Sequence, residues 1–213
     1  MKRSLRYMGW YSAQVVLTAA GVLALMAALT ALLGPECFFA TYLTAFDLIG
    51  YVLCSLMSFS IGRVYGNEAL AFGATRREVF WAPELSALGM VPFMLLVERA
   101  ARLLNVLLVS VPLVGYDRGS ILPGGLLFHA AFQLLLVQAG ITGCNLRKWG
   151  GLVPAVCWLG WLGLFIFWMF QGDPVAGMRA DITLEAFGLI ALALAAVLAL
   201  WNHRLTLRMA VRQ

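Results

Sequence analysis

Charge is what this sequence has least of. Only 12% of its 213 residues are Asp, Glu, Lys or Arg, against about 25% in a soluble domain. So few charged side chains cannot cover a water-soluble globule of this size. Disorder is excluded as well, because 62% of the chain is apolar and disordered chains are poor in such residues. Lysine is confined to Lys2 and Lys148. With no GxxxxGK[ST] stretch there is no loop to cradle a nucleotide phosphate, so the chain cannot itself supply an ATPase. HExxH, Gly-x-Ser-x-Gly and paired glutamates are missing too. Four cysteines, Cys37, Cys54, Cys144 and Cys157, show no CxxC spacing, which argues against a disulfide framework or a zinc site. The expectation is a non-enzyme with no cofactor and no metal.

What is present is a series of long apolar runs, with a mean hydropathy of +0.89. A helical span needs about 20 such residues, and short alternating barrel strands are not seen. The pattern predicts an all-α polytopic membrane protein, residues 1–213 forming one transmembrane domain. Six spans are expected, at about 14–33, 41–61, 82–97, 124–144, 152–170 and 183–201. Residues 1–13 mix Lys2, Arg3 and Arg6 with Tyr7, Trp10 and Tyr11, which suits a separate interfacial helix. For 98–122 two readings are open, an interfacial or re-entrant helix or an extension of the third span. Glu98 and Arg102 stand one turn apart there, a spacing that permits a pair.

Orientation follows from the basic residues. With both termini cytoplasmic, eleven of the 15 fall inside, leaving Arg99, Arg102, Arg118 and Arg179 outside. That is the positive-inside pattern. The net charge of +5 is thereby explained without nucleic acid. His129 and His203 fall on opposite sides in this topology and cannot share a metal.

The 62–81 loop carries the most information. Asn67 is an N-cap, Glu68 suits a first turn and Gly73 a terminator, which bounds a short cytoplasmic helix at about 68–72. Thr75 precedes Glu78 by the capping-box spacing, just ahead of an apolar run. The stretch Ala71-Phe72-Gly73-Ala74-Thr75-Arg76-Arg77-Glu78-Val79-Phe80 resembles a segment of small bacterial ABC transporter permeases of the type-two exporter superfamily. In that family a Gly-x-Thr-Arg-Arg/Lys segment lies between spans two and three, in a coupling helix that docks on the ATPase subunit. The resemblance implies ATPase-coupling roles for Leu70, Phe72, Gly73, Thr75, Arg76, Arg77 and Glu78. It also implies a separate ATPase subunit, a second permease copy or a related permease, and a bacterial plasma membrane. Two further readings fit the same architecture: a substrate-binding membrane subunit of a vitamin-type importer, and a non-transporting assembly or immunity protein.

Ionisable and amide residues inside apolar runs are functional candidates because lipid penalises them. Asp47 in the second span and His129 with Gln133 in the fourth are read as pairing, as lining an outward-facing pathway, or as buried hydrogen bonds that hold neighbouring helices together. Gln138, Thr142 and Asn145 lie roughly opposite on the same helix and either line its cytoplasmic half or bond neighbouring helices. Glu84 and Glu185 sit close to the boundaries, so neither is expected to need burial. The Trp158, Trp161, Phe165, Phe167 and Trp168 group is expected to be a lipid or helix contact surface.

Overall fold

The computed structural model describes residues 2–44, 46, 49–56, 58–60, 75–109, 126–154, 156–158, 160 and 184–209. All regular structure among them is helical: α1 (Lys2–Leu33), α2 (Phe38–Thr44), α3 (Ile49–Ser60), α4 (Arg76–Val109), α5 (Leu126–Gly150) and α6 (Leu184–Met209). Four of these, α1, α4, α5 and α6, are long and apolar enough to cross a bilayer. The chain is a multi-pass helical membrane protein. The predicted fifth span and the 68–72 helix lie largely or wholly outside the described residues, as does Asp47.

One expectation changes, and one open reading is decided. Residues 2–13 do not form a separate interfacial helix but belong to α1, which runs unbroken for 32 residues. Packing explains this: Met8 and Ser12 are buried, and the Ser12 hydroxyl meets that of Ser86 on α4. The described residues of the second predicted span, within Phe38–Thr44, at 46 and within Ile49–Ser60, are all helical, and 45, 47, 48, 57 and 61 lie outside them. The third span is the longest helix, 34 residues or about 50 Å. It continues past Glu98 through residues 98–109, because Glu98 and Arg102 turn inward to partners instead of ending the helix at an interface. Pro83 and Pro92 are both accommodated within it.

Neighbouring helices alternate in a simple way. Gly34, at φ 95°, ends α1 in the left-handed conformation that lacks a Cβ penalty, and the chain turns back through α2 and α3. α4 and α5 run antiparallel, since Glu98 meets Gln133 and Arg102 meets His129. α5 and α6 run parallel, from Phe128 beside Gly188 to Asn145 beside Asn202. Among the described glycines, Gly140 lies against backbone: a Cβ there would run into the Ser55 carbonyl of α3. Small residues allow such backbone contact, a common route to helix association in lipid.

The core collects Val15, Ala19 and Leu23 from α1, Leu43 from α2, Phe46, Cys54 from α3, Met90, Met94 and Val97 from α4, and Val137 and Ile141 from α5. Large apolar residues such as Leu17, Leu32, Phe93, Leu107 and Leu200 are exposed, as a lipid-facing surface requires. Hydroxyls within the helices bond back one turn, Thr30 to the Met26 carbonyl and Ser58 to that of Cys54. That satisfies them where no water is available.

Candidate functional site

Among the described residues, two larger buried polar groupings cross the helix interfaces, beside the Ser12–Ser86 contact of α1 and α4. The first joins α3, α4 and α5 around His129. Its Nε2 lies 2.5 Å from Arg102 Nη2, and its Nδ1 lies 2.5 Å from the Tyr51 hydroxyl and 3.9 Å from Glu98 Oε2. The Gln133 amide donates to Glu98 Oε1. Tyr51, Glu98, Arg102, His129 and Gln133 are all buried, Gln133 fully so.

The donor inventory fixes the tautomer. A guanidinium only donates, so the His129 Nε2 that faces it must offer a lone pair. The ring proton is then on Nδ1, directed toward the Tyr51 oxygen and the Glu98 carboxylate. Acid and base thus offset each other around one imidazole, which is how charge is tolerated away from water.

Elements place these groups for evident reasons. Glu98 and Arg102 share a face one turn apart on α4, as His129 and Gln133 do on α5. Gly50 on α3 makes room, since a Cβ there would stand 2.9 Å from Glu98 Oε1. Tyr51 rests against Phe132, ring centroids 5.1 Å apart. Measured along the helix axes, Glu98 and Gln133 lie about 5 Å, and Arg102 and His129 about 11 Å, from the middle of their apolar stretches, Phe80–Val109 and Leu126–Arg147. All four fall within half of a hydrocarbon core about 30 Å thick.

The second grouping joins α4, α5 and α6. The Gln138 amide donates to Glu84 Oε2. The Asn202 amide donates to Gln138 Oε1 at 3.0 Å, and the Asn145 amide to Asn202 Oδ1 at 3.1 Å. Glu84 is buried, contrary to the expectation that its boundary position spares it. Its Oε1 accepts no hydrogen bond, and neither does Gln133 Oε1. Gln138, Thr142 and Asn145 therefore face helix neighbours, with Thr142 bonding back to the Gln138 carbonyl.

At the start of α4 the capping box is formed in both directions. The Glu78 N–H donates to Thr75 Oγ1 at 3.3 Å, and the Thr75 N–H donates to Glu78 Oε2 at 3.0 Å. Leu70, Phe72 and Gly73 lie outside the described residues, and Arg76 and Arg77 are placed only as the opening residues of α4. Trp158 of the predicted aromatic group donates its indole N–H to the Ala139 carbonyl at 2.8 Å, a helix contact.

The sequence singles out His129, Gln133 and Gln138 as polar residues in an apolar run, and the structure buries all three; Tyr51 and Asn202 were not singled out. A tyrosine inside an apolar run and an asparagine at the end of one are both common, and only the register between helices shows that Tyr51 and Asn202 face inward. The spacing of Glu98 and Arg102 permits a pair, and the structure gives each a partner on α5 as well. Among the described residues no three His, Cys, Asp or Glu side chains converge as a metal site. The chain matches no known family, no curated protein and no solved structure.

Proposed function

We propose that the chain is the membrane-spanning permease subunit of an ATP-driven ABC exporter, working with a separate ATPase subunit and a second permease, identical or related. The observation that carries this reading is the continuity of α4. It opens on the Thr75–Glu78 capping box of the resembled motif and carries Glu98 and Arg102 into the buried grouping on α5. ATP-driven closure of the ATPase pair displaces the docked 62–81 loop, and α4 passes that displacement inward as one rod. Movement of α4 against α5 then breaks the bonds of Arg102 to His129 and of Gln133 to Glu98, and these polar groups line the opened pathway.

The charge distribution supports a bacterial plasma-membrane location with both termini cytoplasmic. Phe80 stacks edge-on against His203, centroids 4.4 Å apart, so the end of α6 lies beside the start of α4. The antiparallel α5 ends at that same level. Lys2, Arg3, Arg6, Arg76, Arg77, Arg147, Lys148, Arg204 and Arg208 thereby belong to helix ends on one side of the molecule, as the positive-inside rule requires of a cytoplasmic face.

The test is affinity purification of the tagged protein in mild detergent, with mass spectrometry of what accompanies it. A stoichiometric ABC ATPase is expected, and it is lost when Phe72, Arg76 and Arg77 are all changed to alanine. An ATPase that stays bound to the triple variant, or none at all, overturns the coupling role of the loop.

A further inference from the structure

α1 and α4 lie side by side and point the same way. Ser12 meets Ser86, 74 positions apart, and the same offset brings Lys2 level with Arg76, the first residues of the two helices. Just beyond this end the helices part to leave a groove of about 450 Å³. Its walls advance together, from Gly9 to Leu17 on α1 and from Leu85 to Phe93 on α4. Gly9 and Gly89 open it, because a Cβ at either position would meet nothing within 4 Å. Among the described lining residues the side-chain hydroxyls are Ser12 and Ser86, which bond to one another, and Ser86 also donates to the Met8 carbonyl at 3.1 Å. The described lining therefore offers an occupant apolar surface and no free polar partner.

Basic residues open both helices at this end, and the side chain of Arg6 is exposed. Lys2, Arg3 and Arg6 stand in the first turns of α1, and Arg76 and Arg77 open α4. Gly9 lies about 5 Å along the axis from Arg6, and the α1 wall extends about 12 Å further inward. These depths match a headgroup layer followed by the upper part of an acyl chain. The volume is within the range of small-ligand sites, roughly 300–1,000 Å³.

We infer that the α1–α4 groove is a binding site for one anionic phospholipid, its acyl chain between Gly9 and Gly89 and its phosphate among the basic residues at the two helix starts. Both helix N-termini add partial positive charge at the same level. The chemistry that recognises the ligand is thus apolar shape below and negative charge above. A zwitterionic lipid satisfies only the first.

The experiment places the purified full-length chain in nanodiscs containing photoactivatable phosphatidylglycerol or photoactivatable phosphatidylcholine, each with its label midway along one acyl chain. Adducts are mapped by peptide mass spectrometry. Phosphatidylglycerol is expected to label the Gly9–Leu17 and Leu85–Phe93 walls well above phosphatidylcholine. Arg6→Gln should lower that preference about fivefold, one surface cation's share. Gly9→Leu combined with Gly89→Leu should abolish groove labelling by both lipids, and the open space at both positions predicts retention of helicity and of monodisperse elution. Equal labelling by the two lipids makes this an ordinary lipid contact and overturns the inference. Labelling that survives the filled groove, or cross-links from these walls to a second copy of the chain, overturns it as well. The wild-type comparison of lipids needs no variant to fold.

Discussion

Arg102 and Glu98 reach the same imidazole from one side of α4, and neither has water to fall back on. Removing either alone leaves the other charge buried without its counterpart. Arg102→Ala or Glu98→Ala is expected to destabilise the protein by about 3–5 kcal/mol. The paired change of Glu98→Gln with Arg102→Met should cost much less, because an amide and a thioether carry no charge to strand. Reversible denaturation in mixed micelles measures both. Additive losses in the double variant would show that the two residues do not act as one charge-balanced unit. The same scale explains what could be read beforehand. His129 and Gln133 stood out as polar residues in an apolar run, but their partners did not. Glu98 and Arg102 looked like the edge of a span, since a sequence shows charge and not the direction in which it points.

Among the elements, legibility followed the strength of local signals. Apolar runs gave the cores of α1, α4, α5 and α6, and Thr75 with Glu78 gave the start of α4. Ends set by packing were less legible. Whether the third span runs past Val97 is open in the sequence; it does so because α5 receives its charged turn, and α6 extends to Met209 because Asn202 and Leu205 are buried. The first helix was divided in the sequence reading at a change of composition, although no backbone signal breaks it there. Close contacts were equally hidden, since nothing local distinguishes Gly140 from Gly21. Gly140→Leu must push the Ser55 carbonyl and Ser58 away, an overpacking cost of about 1–3 kcal/mol or more. Gly21→Leu, with no atom within 4 Å of its Cβ, should be neutral or mildly stabilising. Thermal unfolding in detergent separates them, and equal midpoints would contradict the close approach of α3 and α5.

At the scale of the whole molecule, α4 runs as one rod from the Thr75–Glu78 cap to a buried polar centre, and the proposal makes it the coupler between a docked cytoplasmic loop and that centre. That coupling is the central claim, and the loop's neighbour is its most direct test. A photo-crosslinking residue is placed at Phe72 in one sample and at Leu107, near the other end of α4 and strongly exposed, in a second. Irradiation in native membranes is followed by mass spectrometry of the adducts. The account predicts an ABC ATPase subunit covalently joined at position 72 and none at position 107. No ATPase at position 72, or equal capture at the two positions, would contradict it.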